Sequence, residues 1–367
     1  MLAFGACAML GIVIAWPRER LLTETAHSVM KLNPEKQTLC WLSVHRLLVV
    51  TTERFAEPIR GPRGSIVKAN WQGSADLVDT AAHTTSRLDA LTGLLQRTAV
   101  FPVQGPSGFR ASPDGLSVLW DTYYVEHGRP WSHAARLDGM HYRKLNLCSA
   151  DGSLFLDSRY LIQIMLEEPI MIVCDLQDPA HDRKYVKRDE ARAALARYTV
   201  QKPVSSVVSA SDKNGGEGFA NIDMYRTEDR IDIHVKWPGF ERYMHKPIGT
   251  HTVKLPEGAT LEYVRSAESS DGQFVCCHLQ STRTPPFSTW LHRLIPTFNP
   301  RPIYTESVWI SRTAGHGMQE LGHVPTHLDE NGTPQDLLRD VRWLPDGRQI
   351  SFVYEGTLYV MPAVCEK

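Results

Sequence analysis

The dipeptide Asp-Gly recurs at 114–115, 151–152, 271–272 and 346–347, each time between short stretches that alternate apolar and polar residues. The last copy is the cleanest: residues 340–354 turn at Pro345-Asp346-Gly347, and a second turn at Glu355-Gly356 leads into Thr357–Met361. Alternation with period two marks half-buried strands. Pro-Asp-Gly supplies a fixed φ, a side-chain acceptor and a residue able to take positive φ, which a tight hairpin turn demands. Three short strands joined by two turns are therefore expected, and the same module is expected wherever the pattern repeats.

Degenerate copies lie at Thr227–Arg230 and Ser43–Arg46, making six units. The turns at 114 and 151, and those at 229 and 271, are about 40 residues apart, the length of one four-stranded propeller blade. The gaps from 151 to 229 and from 271 to 346 are roughly twice that. No second hairpin is legible inside them, so they are read as one blade each with an insertion. Ser86–Ala90 matches Ala135–Gly139, and both are expected to end a third strand and turn into a fourth. Lys31-Leu32-Asn33 matches Lys144-Leu145-Asn146, each preceding the first strand of a unit. The last unit stops after its third strand at Met361. Residues 24–33, ahead of the first unit, are the candidate for its fourth strand, and that pairing would close a ring and remove an open edge.

Three insertions stand out. Residues 55–80 are rich in Pro and Gly and read as a long loop with a hairpin around Ile66–Trp71. In 188–218, Ala191, Ala194, Leu195 and Tyr198 have the spacing of a short amphipathic helix, followed by the Ser-, Asp- and Gly-rich stretch 205–218, which is expected to be mobile and whose Gly215–Gly218 reads as a linker. Residues 281–303, with five prolines, read as an excursion from the sheet. Ahead of the repeats, residues 2–16 are an unbroken apolar run followed by Pro17-Arg18-Glu19-Arg20. Fifteen residues is short for a spanning helix and suits a membrane anchor or an uncleaved signal. The two arginines follow the run and no basic residue precedes it, which leaves its sidedness open.

The formal net charge of −1 gives no field for nucleic acid or an anionic surface. Seven cysteines without CxxC spacing do not make a disulfide framework, and Cys276-Cys277 are expected on opposite faces of one strand. No Gly-x-Ser-x-Gly elbow, Walker loop, dinucleotide fingerprint or His-Glu-x-x-His motif is present. The tightest group of potential metal ligands is His316, Glu320, His323 and His327. Nothing in the spacing fixes them on one face, so solvated loop histidines are the better reading and a metal role stays open. Trp41, Trp120, Trp237, Trp309 and Trp343 are expected in the core between blades. Asp114, Asp151, Asp271 and Asp346 are expected to accept backbone hydrogen bonds in turns. No catalytic or cofactor-binding residue is assigned.

Residues 343–352 followed by 358–361 resemble the TolB-like β-propeller repeat, and 112–115 and 149–152 are similar. The resemblance covers most of the chain after residue 24. It implies a propeller of the kind common in bacterial envelope proteins and carries no catalytic residue with it. The expected molecule is thus an all-β protein: an anchor or signal over 1–20, then a single propeller over 21–367. Six blades are preferred over seven, each a four-stranded antiparallel sheet, the ring closed by an N-terminal strand. The expected function is a non-catalytic, monomeric, membrane-tethered binding or scaffolding module of a bacterial cell envelope, without cofactor. It would recognise a protein or an envelope polymer through its faces and insertions. The alternative is a hydrolase or lyase with a metal or a His/Asp/Arg site in the funnel.

Overall fold

The alternating stretches form strands, each paired antiparallel with its neighbour, as hairpin-joined strands must be. The computed structural model describes residues 21–55, 59–60, 66–68, 71–98, 109–124, 129–145, 153–155, 157–165, 170–185, 190, 206–208, 222–226, 231–235, 249–253, 259–269, 273–283, 294–295, 303–312, 318–326 and 338–363. A helical turn, α1 (Leu22–Thr25), leads into β1 (His27–Lys31). There follow β2 (Gln37–Trp41), β3 (Arg46–Phe55), a small hairpin of β4 (Ile59–Arg60) and β5 (Ile66–Lys68), then β6 (Trp71–Asp79) and β7 (Thr84–Arg87). Sheet I has the order β2-β3-β6-β7. Helix α2 (Asp89–Thr98) crosses to sheet II: β8 (Phe109–Ala111), β9 (Ser117–Tyr124), β10 (Arg129–Arg136) and β11 (Arg143–Lys144). Sheet III is β12 (Ser153–Phe155), β13 (Tyr160–Met165), β14 (Ile170–Asp175) and β15 (Arg183–Tyr185).

After β16 (Ser206–Val208) comes sheet IV: β17 (Ile222–Arg226), β18 (Ile231–Val235) and β19 (Gly249–Val253). Sheet V is β20 (Ala259–Glu268), β21 (Phe274–Arg283), β22 (Ile303–Arg312) and β23 (Gln319–Pro325), with β16 added to the other edge of β20. Sheet VI is β24 (Leu338–Trp343), β25 (Gln349–Tyr354) and β26 (Thr357–Pro362), and its fourth strand is β1, running from His27 opposite Val360 to Lys31 opposite Thr357. The strand expected from residues 24–33 is therefore in place beside the last hairpin.

Sheets stack because their strands bury both sides. Leu47 and Val49 pack with Leu344, Val353, Leu358 and Val360 of sheet VI, whereas Leu48 and Val50 pack with Phe109 and Trp120 of sheet II. That two-sided burial is why Leu47-Leu48-Val49-Val50 reads as a continuous apolar run. The same pairing joins II to III through Leu119, Ala134, Leu161 and Cys174, and V to VI through Val308, Ile310, Trp343 and Phe352. Each such side chain contributes about 1.5–3 kcal/mol by leaving water. Of the tryptophans, Trp41, Trp120, Trp309 and Trp343 are buried in four different sheets, as expected, and Trp237 lies outside the described residues.

The two best Asp-Gly turns share one geometry. Ser112 N–H donates to Ser117 O at 2.8 Å, Gly115 N–H to Ser112 O at 2.8 Å, and Leu116 N–H to the Asp114 carboxylate at 3.0 Å. In the second copy Leu344 donates to Gln349 O at 2.8 Å, Gly347 to Leu344 O at 2.9 Å, and Arg348 to the Asp346 carboxylate at 2.9 Å. Gly115 and Gly347 sit at φ +65° and +66°. The pair at 271–272 lies outside the described residues, but the flanking β20 and β21 are joined in register, with Ser269 donating to Phe274 O.

Several expectations need correction. In sheet III the first hairpin turns at Asp157–Arg159, not at 151–152; Asp157 accepts from the Arg159 and Tyr160 amides, so one aspartate does the work without a glycine. Residues 55–80 are not a long loop. Trp71–Asp79 pairs along the whole of β3 as the third strand of sheet I, which leaves an excursion only between Phe55 and Trp71. Ser86-Arg87 ends the fourth strand of its sheet, whereas Ala135-Arg136 ends the third. The likeness of those segments therefore does not mark equivalent positions. Ser206–Val208, within the stretch expected to be mobile, is a strand on β20. Helix α2 was not expected, although Leu91, Leu94 and Leu95 have helical spacing and are buried. Of the helix expected over 188–198 only Glu190 is described.

Candidate functional site

The first strands of the sheets meet one another. β2 touches β8, β20 touches β24, and Arg342 of β24 donates from Nη1 to Leu39 O of β2 at 2.7 Å. In sheets I, II and VI these first strands form the inner rim of the stack, whereas in sheet V β16 lies beyond β20; β7, β11, β15, β23 and β1 form its outer edge. Arg342 is buried; its Nη2 donates to Asp340 at 2.8 Å and its Nε has no hydrogen-bond partner. Asp340 holds φ +52° beside a bulge between Arg339 and Arg342. A bulge and a left-handed non-glycine residue re-aim side chains, and both are common near functional sites. Next to them, burial pushes the Cys40 thiol up to about 11, against the opposing influence of Arg342 and Arg110. Cys40 is thus a neutral core group and not a nucleophile.

Strand direction sorts every connection onto one of two faces. The tight turns after first and third strands share one face, here the turn face. Connections after second strands and between sheets share the opposite, insertion face. The ends of β3 at Phe55, of β15 at Tyr185 and of β21 at Arg283 all point to the insertion face. The segments that follow them, 56–70, 186–205 and 284–302, lie mostly outside the described residues. Exposed Leu294 and Ile295 belong to the third, and exposed Ile303 follows it. Sheet IV has three described strands in the order β17-β18-β19.

Other polar groups are accounted for locally. Asp175 is fully buried and accepts a two-pronged bond from Arg159, with Nη2 at 2.6 Å. That guanidinium, followed by the Gln177 and Asp178 amides, holds the carboxyl below its ordinary range. Arg143 of sheet II grips Asp182 of sheet III in the same way. His278 Nε2 lies 4.0 Å from Glu306, both buried, and Glu306 accepts from the Leu338 amide at 2.8 Å, tying sheet V to sheet VI. In sheet II, Phe109, Trp120 and His133 are direct cross-strand partners and stack in a row ending at Tyr142. The Tyr142 hydroxyl is 3.1 Å from His133 Nδ1. Burial, with Lys144 alongside, pushes His133 down to about 4.

The expected ligand group does not assemble. His316 and His327 lie outside the described residues; His323 and Glu320 are 3.4 Å apart on β23, at the outer edge. Among the described residues no three His, Cys, Asp or Glu side chains come together as a metal-binding group. Cys276 faces sheet VI, and both Cys276 and Cys277 are buried and unbridged; burial pushes the Cys277 thiol well up.

No family model matches this chain, and no curated protein matches it. Among solved structures it resembles the putative TolB from Agrobacterium tumefaciens, at 12% identity and a TM-score of 0.33, over 88% of this chain and 99% of that one. It resembles the β-propeller domain of the Trilobed protease from Pyrococcus furiosus at 9% identity and a TM-score of 0.29, over 92% and 95%. It also resembles the apo AtxE2 isopeptidase at 11% identity and a TM-score of 0.38, over 94% of this chain; it spans about half of that protein, 51%. The likeness is to propellers, TolB among them.

The outer strands carry a signal of their own, which Asp-Gly spacing does not reveal. His27–Leu32, His83–Leu88, His141–Leu145, His181–Tyr185, His251–Leu255 and His316–Leu321 share the pattern His, two or three residues, Lys or Arg, Leu. The fourth has Tyr for Leu and the sixth Glu for the base. Each copy falls at an edge strand of one of sheets I to VI. His83 and His141 take φ +53° and +52°, a left-handed conformation that histidine adopts more readily than most residues. The backbone role is shared too: Leu32 N–H donates to Gly356 O and Leu145 N–H to Ser132 O, back onto the third strand or the turn leading into it.

Proposed function

We propose that the chain is a six-bladed propeller closed by β1, acting as a non-catalytic binding or scaffolding module. Residues 2–16 tether it to a membrane of the cell envelope, and its insertion face recognises a protein or an envelope polymer. One outer-strand motif per sheet supports the count of six. The continuous packing from sheet V through VI, I and II to III supports the ring. The observation that carries the functional reading is that all three long excursions leave from one face. Loops escape the packing demands of the blades, so a face that gathers them is where recognition can be built. The test is photo-crosslinking in envelope preparations from Ile303 on the insertion face and from His83 on the turn face. Adducts at 303 that vanish when residues 56–70, 186–205 and 284–302 are shortened support the reading. An unchanged adduct pattern in a shortened chain that still folds would refute it.

The buried Arg342, paired on the inner rim with the half-buried Asp340, favours one second reading, a hydrolase or lyase working in the funnel. Stoichiometric metal in the purified protein, or turnover lost in Asp340→Asn, would promote it.

A further inference from the structure

The aromatic row of sheet II crosses the whole sheet. Phe109 lies on β8, Trp120 on β9 and His133 on β10, and Tyr142 stands immediately before β11. Strand register places the first three, because Phe109 is directly opposite Trp120 and Trp120 directly opposite His133. Ring centroids are 6.3 Å apart for Phe109 and Trp120, 5.5 Å for Trp120 and His133, and 6.1 Å for His133 and Tyr142. Trp120 and Tyr142 are themselves only 6.5 Å apart, with ring planes 28° from parallel. Trp120 is 1% exposed and His133 3%, whereas Tyr142 is 38% exposed. The row therefore leads from the core to a ring that solvent reaches.

Of the four rings, indole and phenol are the two that give up an electron most readily, and the fold treats their protons differently. The Trp120 Nε1–H is buried and has no hydrogen-bond partner among the described residues. An indole radical cation formed there has no acceptor for its proton and stays a strong oxidant. The Tyr142 hydroxyl lies 3.1 Å from His133 Nδ1, which accepts that hydrogen when the neutral imidazole carries its own proton on Nε2. Burial pushes the imidazole down to about 4, so near neutral pH it is uncharged and able to accept. A phenol that loses an electron becomes a far stronger acid and passes its proton along this bond. Loss of an electron is thus unfavourable to sustain at Trp120 and easy to accommodate at Tyr142.

We propose that sheet II carries an oxidising equivalent one way, from the buried Trp120 to the exposed Tyr142, where it is discharged. The initiating step is loss of one electron from Trp120 to a one-electron oxidant, a radical or a photoexcited acceptor, which leaves the indole radical cation. An electron then passes from Tyr142 to Trp120 while the phenolic proton moves to His133 Nδ1. The indole is restored, and the products are a neutral tyrosyl radical and the His133 imidazolium. A soluble one-electron reductant of the thiol or ascorbate class reduces the tyrosyl radical, and His133 returns the proton. Every group ends as it began, and the indole escapes the irreversible addition of oxygen that follows when its radical persists.

The test irradiates the full chain with light that tryptophan alone absorbs, in the presence of pentaamminechlorocobalt(III) as an irreversible electron acceptor. A nitroso spin trap marks tyrosyl radicals, and peptide mass mapping locates both the adducts and the oxygenated tryptophans. The parent is expected to carry adducts at Tyr142. Trp120→Phe should lose them, although it leaves Tyr142 as exposed as before. Tyr142→Phe closes the exit, so oxygenated Trp120 should accumulate relative to the parent. His133→Phe keeps a stacked ring but removes the proton acceptor, and should both lower the adducts at 142 and raise the damage at 120. Absence of adducts at Tyr142 in the parent overturns the route, as do undiminished adducts at 142 in Trp120→Phe. If that variant does not fold, equal damage at Trp120 in the parent and in Tyr142→Phe overturns it instead.

Discussion

Arg342 shows how much one side chain can hold at an inner rim. It satisfies the Leu39 carbonyl of a neighbouring sheet and the Asp340 carboxylate of its own strand, from a position almost without solvent. Arg342→Met keeps the length and loses the donors, leaving a buried acceptor unmet at a cost of about 1–3 kcal/mol. Urea unfolding would register this as a lowered midpoint; an unchanged midpoint would mean that another donor takes over. Two glycines make the opposite comparison. A Cβ on Gly115 would come within 2.3 Å of Leu42 O, and φ there is +65°, so Gly115→Ala should lose more than the ~1 kcal/mol of a conformational misfit alone. Gly93 lies in α2 with nothing within 4 Å of an added Cβ, so Gly93→Ala should gain roughly 0.5–1 kcal/mol. Thermal melts of the two variants must move in opposite directions.

Among the elements, the aromatic row of sheet II makes the clearest pH prediction. Free histidine titrates near ~6.5, and His133 in the fold titrates at about 4. Between those values the unfolded chain takes up a proton that the folded chain refuses, so stability falls as the medium is acidified through that window. Asp175 acts lower: its carboxyl is held below the ordinary 3.8, so the stability it contributes is lost only in stronger acid. His133→Phe keeps the stacked ring and removes the proton site. Its melting temperature should therefore drop less between pH 6.5 and 4 than that of the parent, and an equal drop would assign the effect elsewhere. The elements also show what was legible in the chain. Turns could be read where Pro, Asp and Gly coincide, as at 345–347, because that chemistry is local. At 157–159 an aspartate alone makes the turn, and the neighbouring Asp151-Gly152 carries the stronger local signal. Helix α2 escapes a local reading because its apolar side is short and its partners, Phe109 and Trp120, are distant in sequence. The Arg342–Asp340–Leu39 group left no trace, since it joins residues some 300 positions apart through a bulge that no local pattern encodes.

On the scale of the whole molecule, the histidine–lysine–leucine pattern reports the architecture better than Asp-Gly does, because it marks an edge strand once in each of sheets I to VI. That strand of sheet VI comes from the other end of the chain. A protein beginning at Asn33 should therefore melt at a lower temperature, and a separate peptide of residues 21–33 should restore the loss. Failure of the peptide to bind would mean that β1 adds little to the sheet. The arrangement also constrains how the protein is made. β26 is synthesised roughly 330 residues after its neighbour β1, and at about 5–20 residues per second the wait is roughly 15–65 seconds. Throughout that interval the nascent chain carries an unmated hydrogen-bonding edge, so a cell producing this protein must shield that edge until β26 has been made.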